Sequence, residues 1–184
     1  MNNRRIVLTG LVIIAALSRL APHPPNVTPI AAMALFGGAY PTNRKFAYLL
    51  PLVAMLLSDL VLGYTTYGVT LLRSQPVVYA CILATAALGT LIRDKRSLLQ
   101  VGGFTLASSG MFYVVTNFAV WASGSLYPMT WTGLIACYAA AIPFFRNSLL
   151  GDVGFAVALF GGFALLETAF GSLREKRDLS VATS

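Results

Sequence analysis

Six apolar stretches divide the chain, at about residues 6–21, 28–40, 46–63, 76–92, 98–121 and 148–170. A helix crossing the hydrocarbon core of a bilayer needs roughly 17–25 mostly apolar residues, and every stretch but the second comes close to that length. The second is short and contains Gly37-Gly38, so it is expected to be tilted, partly shielded, or less than a full crossing. The gaps at 41–45 and 93–97 are brief and predict tight antiparallel helical hairpins. Those at 22–27, 64–75 and 122–147 are longer. Pro22, Pro24, Pro25 and nearby Pro29 block helix and hold an extended path through the first. The last holds Trp121, Tyr127, Trp131 and Tyr138, amphipathic rings suited to an interface or a binding surface. Within it, 131–142 is expected to form a short interfacial helix that ends at Pro143. The expected fold is an all-α integral membrane bundle of six helices. It is one polytopic domain over 1–184, without internal repeat or linker.

The charges orient this bundle. Of the 13 Lys and Arg residues, ten fall in alternate gaps: Arg4 and Arg5; Arg44 and Lys45; Arg93, Lys95 and Arg96; Arg174, Lys176 and Arg177. The intervening gaps hold Arg19, Arg73 and Arg146, one each. Basic residues beside membrane spans are retained on the cytoplasmic side, so both termini are expected inside and the number of crossings is even. Asn2-Asn3-Arg4-Arg5 before an apolar run has the look of a secretory signal. No small-x-small cleavage site follows in register, and the first span is expected to be retained. The longer gaps then lie outside the cytoplasm, where function should be sought.

Composition narrows the class. With 57% hydrophobic and 10% charged residues, the chain lacks the charge density of a soluble domain, about 25%. The net charge of +7 sits in short clusters at span ends, which suits anionic lipid headgroups and argues against nucleic acid as a partner. No Gly-x-x-x-x-Gly-Lys-Ser/Thr motif is present, so ATP hydrolysis by that route is excluded. Gly-x-Ser-x-Gly and the Cys or His spacings of metal cages are absent too.

Ionisable groups inside spans are costly and are usually paired or functional. Arg19, Asp59, Asn117 and Asp152 are expected at one depth near the outer face, with Glu167 alone near the inner end. Asp59 and Asp152 pair with Arg19 and Arg146, line a polar outward cavity, or do both. His23, the single histidine, reads as a loop hydrogen-bonding group before a metal ligand. Cys81 lies five residues after Pro76, roughly 7 Å below the outer end of the fourth helix as predicted. It reads either as a small packed residue or as a thiolate for a soft or borderline metal carried by a ligand. A disulfide to Cys137 is disfavoured by depth.

Several long motifs carry a resemblance. Pro22-His23-Pro24-Pro25-Asn26-Val27-Thr28-Pro29, Ala31 to Tyr40, Leu57-Ser58-Asp59-Leu60-Val61-Leu62-Gly63, Thr116 to Trp121 and Ala141 to Asp152 resemble a bacterial family of small transporters related to the S-components of energy-coupling-factor (ECF) vitamin transporters. Tyr79-Ala80-Cys81 is similar to its solitary cobalamin-specific branch, BtuM. The resemblance implies a six-helix S-component fold with an outward corrinoid pocket, in the inner membrane of a bacterium. It implies that the Cys81 sulfur ligates the cobalt of cobalamin, with Tyr79, His23, Asp59, Asn117 and Arg146 holding corrin amides or supporting the pocket. Cobalamin is then cargo, and the chain needs no cofactor of its own. Cys81-dependent loss of cyanide from bound cyanocobalamin is the one chemical step implied, as ligand exchange and not turnover.

One departure stands out. The Ala-x-x-x-Ala face by which many S-components meet a shared energising module is missing, since Arg19 follows Ala15 and Leu20 follows Ala16. A partnership with an ECF module, or with a periplasmic binding protein, is therefore left open. The competing expectations are an S-component-like transporter for another vitamin with Cys81 merely packed, a membrane enzyme acting on a corrinoid or lipid, and a scaffold with no ligand.

Overall fold

A computed structural model describes residues 3–40, 43–67, 71–93 and 96–174. Helix is the only regular structure among these residues: α1 (Asn3–Ser18), α2 (Ile30–Ala39), α3 (Arg44–Leu62), α4 (Leu71–Leu91), α5 (Leu98–Ala122), α6 (Trp131–Ala156) and α7 (Gly162–Ala169). A wider π-helical turn, Gly63–Tyr67, extends α3, and another, Val157–Gly161, joins α6 to α7 in one continuous rod. Local signals start the long helices. The side chains of Asn43, Ser97 and Thr130 accept from the backbone N–H groups of Lys45, Gln100 and Gly133 at the heads of α3, α5 and α6.

Among the described residues three helices are long and apolar enough to cross a membrane: Lys45–Thr65, Leu98–Ala122 and Trp131–Ala169. Gln75–Leu91 and Ile30–Ala39 are shorter apolar helices. The surface is inverted relative to a water-soluble protein, with large apolar side chains such as Ile14, Leu57, Leu150 and Leu165 standing exposed around the bundle. The chain is therefore an all-α protein of membrane type.

α2 is the centre of the bundle. It is 10 residues long, about 15 Å, and Ala31 through Ala39 are all buried. A stripe of apolar residues needs one covered side, whereas a helix apolar all round must be enclosed, and α1, α3, α4, α5 and α6 surround this one. Of the expectations for this stretch, the shielding is observed. Its tightest neighbour is α4, because glycines lie where the two helices cross. A Cβ on Gly38 would stand 2.1 Å from the Ala86 carbonyl oxygen, and one on Gly89 would stand 2.3 Å from that of Leu35.

Two element boundaries differ from expectation. The sixth helix begins at Trp131 and not at 148, so the third long gap shrinks to 123–130 and 131–142 is not a separate interfacial helix. α4 begins at Leu71 and not at 76. In both, a proline expected to bound a helix lies inside it, Pro143 in α6 and Pro76 in α4. Proline removes one backbone hydrogen bond, and in packed membrane helices neighbouring groups make up that loss. The rod from Trp131 to Ala169 has 39 residues. At 1.5 Å per residue that is roughly 58 Å, well beyond a bilayer core of about 30 Å.

One end of the bundle gathers the basic residues. Arg4 pairs with Glu167 at 2.5 Å and lies 5.3 Å from the centre of the Phe163 ring. Arg96 stacks on Tyr40 at 4.5 Å and donates to the Ala39 carbonyl oxygen at 3.1 Å, at the C-terminus of α2. Lys95, Lys176 and Arg177 lie outside the described residues.

Replacing Gly38 or Gly89 by Ala is expected to cost at least the ~1–3 kcal/mol typical of overpacking, since the clash is with backbone that cannot rotate away. Gly102→Ala, facing open space, is expected to be neutral or mildly stabilising. Thermal unfolding of the detergent-purified variants measures both.

Candidate functional site

Opposite the basic end, the α1–α2 connection dips into the bundle. Asn26 takes a left-handed backbone conformation, φ 63°, which short polar side chains tolerate best. Thr28 then seats against Gly151 of α6, where a Cβ would stand 3.1 Å from the Thr28 nitrogen. This puts the head of α2 inside the protein, with N–H groups that have no helical partner. Asp152 answers them. Its carboxylate accepts from the backbone N–H groups of Ala31 and Ala32, and from the Ser109 hydroxyl at 2.7 Å. Ser109 lies midway along α5, so Asp152 is a mid-bundle group and not one at the outer rim.

A second polar assembly ties α1, α3 and α4 together. Arg19, just past the end of α1, meets Asp59 with its Nη2 at 2.8 Å from Oδ1. Arg19 Nη1 donates to the Ser58 hydroxyl. The Tyr79 hydroxyl donates to Asp59 Oδ2 at 3.0 Å. Asp59 has no exposed surface. A buried ion pair offsets its desolvation only when the remaining lone pairs and protons are also satisfied, and Ser58 and Tyr79 provide much of that.

Between the two assemblies lies a cavity of about 560 Å³. Arg19, Asn26, Gln75, Ser109, Asn117 and Asp152 supply its polar wall. Phe112, Tyr113 and Phe145 supply an aromatic one, with Tyr113 and Phe145 ring centres 4.6 Å apart. The Gln75 side-chain oxygen is buried and has no hydrogen-bond donor. His23 stands exposed on the same wall and approaches the Pro24 carbonyl oxygen at 3.0 Å, as expected of a loop histidine.

The expected site residues thus divide. His23 and Asn117 line the cavity. Asp59 and Tyr79 do not line it, and act behind the wall by holding Arg19. Arg146 is exposed, is not a wall residue, and does not pair with Asp152. Six residues along a helix turn the side chain by about 600°, onto a different face. Cys81 is buried, 3% exposed, and is not among the wall residues. On α4 the wall is made by Gln75 and Val78, and Cys81 sits on the helix flank beside core Ile82. Cys81 and Cys137 are both free thiols. Among the described residues no group of three or more His, Cys, Asp or Glu side chains is arranged to hold a metal ion. Gln75 and Ser109 were the residues that sequence reasoning passed over. The polar run Thr105, Ser108, Ser109 inside an apolar helix, all buried, is the signal that marks a polar interior there.

Asp59→Asn is expected to destabilise the protein by about 3–5 kcal/mol, because Arg19 is left as an unpaired buried charge. The double variant Arg19→Met with Asp59→Leu is expected to recover much of that loss. Thermal melts of the single and double variants provide the comparison.

No curated protein and no solved structure matches the chain. Residues 1–175 match DUF6580, a family of unknown function, and the chain belongs to that family.

Proposed function

We propose that this chain captures a vitamin-sized solute in its cavity and carries it across a bacterial inner membrane, as an S-component-like transporter. The reading has six crossings, α2 being the partial one, both termini in the cytoplasm, and the cavity open to the opposite side. The cavity is the observation that carries it. Small-molecule sites typically enclose about 300–1,000 Å³ with an apolar wall and a few placed polar groups, and this one falls within that range. The basic clusters lie at the other end of the helices, which by the positive-inside rule faces the cavity away from the cytoplasm. Energy comes from a partner, from a gradient or from trapping of the solute inside, since the chain has no Walker motif.

Cobalamin ligated by Cys81 is the second reading. It rests on the resemblance and on one observation: Cys81 follows the wall residue Val78 by three positions on the same helix. Ligation requires the side chains that cover the thiol to part, and a corrinoid, larger than the enclosed space, would protrude through the mouth. A ligand held by the existing wall needs neither, and the geometry favours it.

Equilibrium binding to nanodisc-reconstituted protein, with a vitamin panel that includes hydroxocobalamin and cyanocobalamin, tests both readings. At least one solute is expected to bind, to weaken about tenfold or more in Asn117→Leu, and to be unaffected by Cys81→Ala. A cobalamin absorbance shift that Cys81→Ala removes would establish the second reading over the first. Binding of no solute would overturn both.

A further inference from the structure

We propose that the cavity selects a cationic solute with an aromatic body, with Asp152 as its counter-ion. The inference deepens the transporter reading and rests on it. Charge decides the sign. The wall holds two groups of formal charge among the described residues, Arg19 and Asp152. Arg19 is neutralised by Asp59 behind it, at 2.8 Å. Among the described residues Asp152 has no cationic partner: its contacts are the Ser109 hydroxyl and the first turn of α2. A helix N-terminus contributes about half a positive charge, so the carboxylate keeps a negative remainder facing the cavity.

An independent feature points the same way. Gln75 is 5% exposed, lines the cavity, and its Oε1 atom meets no donor among the described residues. A buried acceptor left without a donor costs about 1–3 kcal/mol, which a ligand N–H would relieve. Arg19 Nε also lacks an acceptor, and it belongs to the guanidinium that Asp59 already balances. Phe112, Tyr113 and Phe145 line the same cavity, and aromatic rings attract cations and pack against flat ligands. An ammonium or a charged heterocycle attached to a ring meets both kinds of wall, whereas a bare metal ion would leave the aromatic one unused.

Three indoles of similar size serve as probes: tryptamine, cationic at neutral pH; tryptophol, neutral; and indole-3-acetate, anionic. Calorimetry on the nanodisc protein is expected to show tryptamine bound about tenfold or more tighter than tryptophol, with the acetate weakest, the ratio one charge-assisted hydrogen bond gives. Asp152→Asn is expected to reduce the tryptamine preference to about twofold or less. Should that variant not fold, Gln75→Leu is the substitute, and the preference is expected to narrow by about threefold or more. Equal affinities, an anionic preference, or a preference indifferent to these substitutions would overturn the selectivity, and solute capture would still stand on the vitamin panel. Binding of none of the three also overturns the inference. Sodium that displaces tryptamine competitively and stabilises the protein by itself would mark an alkali-ion site and contradict it.

Discussion

A helix too short to cross the membrane, enclosed on every side, has to find partners for both of its ends within the protein. α2 is that helix, and the bundle is arranged around the requirement. Asp152 and Ser109 converge at its start, where two backbone N–H groups point into the interior. Arg96 reaches the Ala39 carbonyl at its end. Negative at the N-terminus and positive at the C-terminus is the order that a helix dipole favours, and both charges come from other segments, Asp152 from α6 and Arg96 from the α4–α5 connection. The Gly38–Gly89 crossing lets α4 approach closely enough to close the enclosure. Because α2 begins deep in the bundle, the space above its first turn is unfilled by helix, and that space is the cavity.

The two acidic residues of the interior divide the work. Asp59 is fully sealed and joins three segments through Arg19, Ser58 and Tyr79, which fixes one wall. Asp152 also supports structure, yet it lines the cavity and has no cationic partner among the described residues. A carboxylate in that position couples the fold to whatever fills the space. In the proposed function, placement of α2 and recognition of solute depend on the same oxygen atoms.

Much of this was legible in the chain, and the misses have physical causes. The apolar stretches located the helical rods, and Gly37-Gly38 in a short stretch marked the partial crossing. Arg19 and Asp59 were recognisable as partners because each stands where an isolated charge is costly. The start of α6 was hidden, since Pro143 and Pro76 read as helix ends in water and are accommodated inside packed helices here. That error moved Asp152 toward the rim and suggested Arg146 as its partner, when the orphan N–H groups of α2 are its partners. Gln75 gave no signal, because an uncharged side chain beside a proline is unremarkable until its oxygen is seen without a donor. For Cys81 the sequence supplied depth and left facing undetermined, and its thiol is packed on the flank of α4 and not on the wall.

The cavity opens away from the basic end of the bundle. Thiol labelling in intact spheroplasts tests it, in a background with Cys81 and Cys137 replaced by Ala. A membrane-impermeant maleimide is predicted to label Thr116→Cys on the cavity wall without permeabilisation, and Ser172→Cys at the basic end only after it. Labelling of Ser172→Cys from outside, with Thr116→Cys protected until the membrane is opened, would contradict the account.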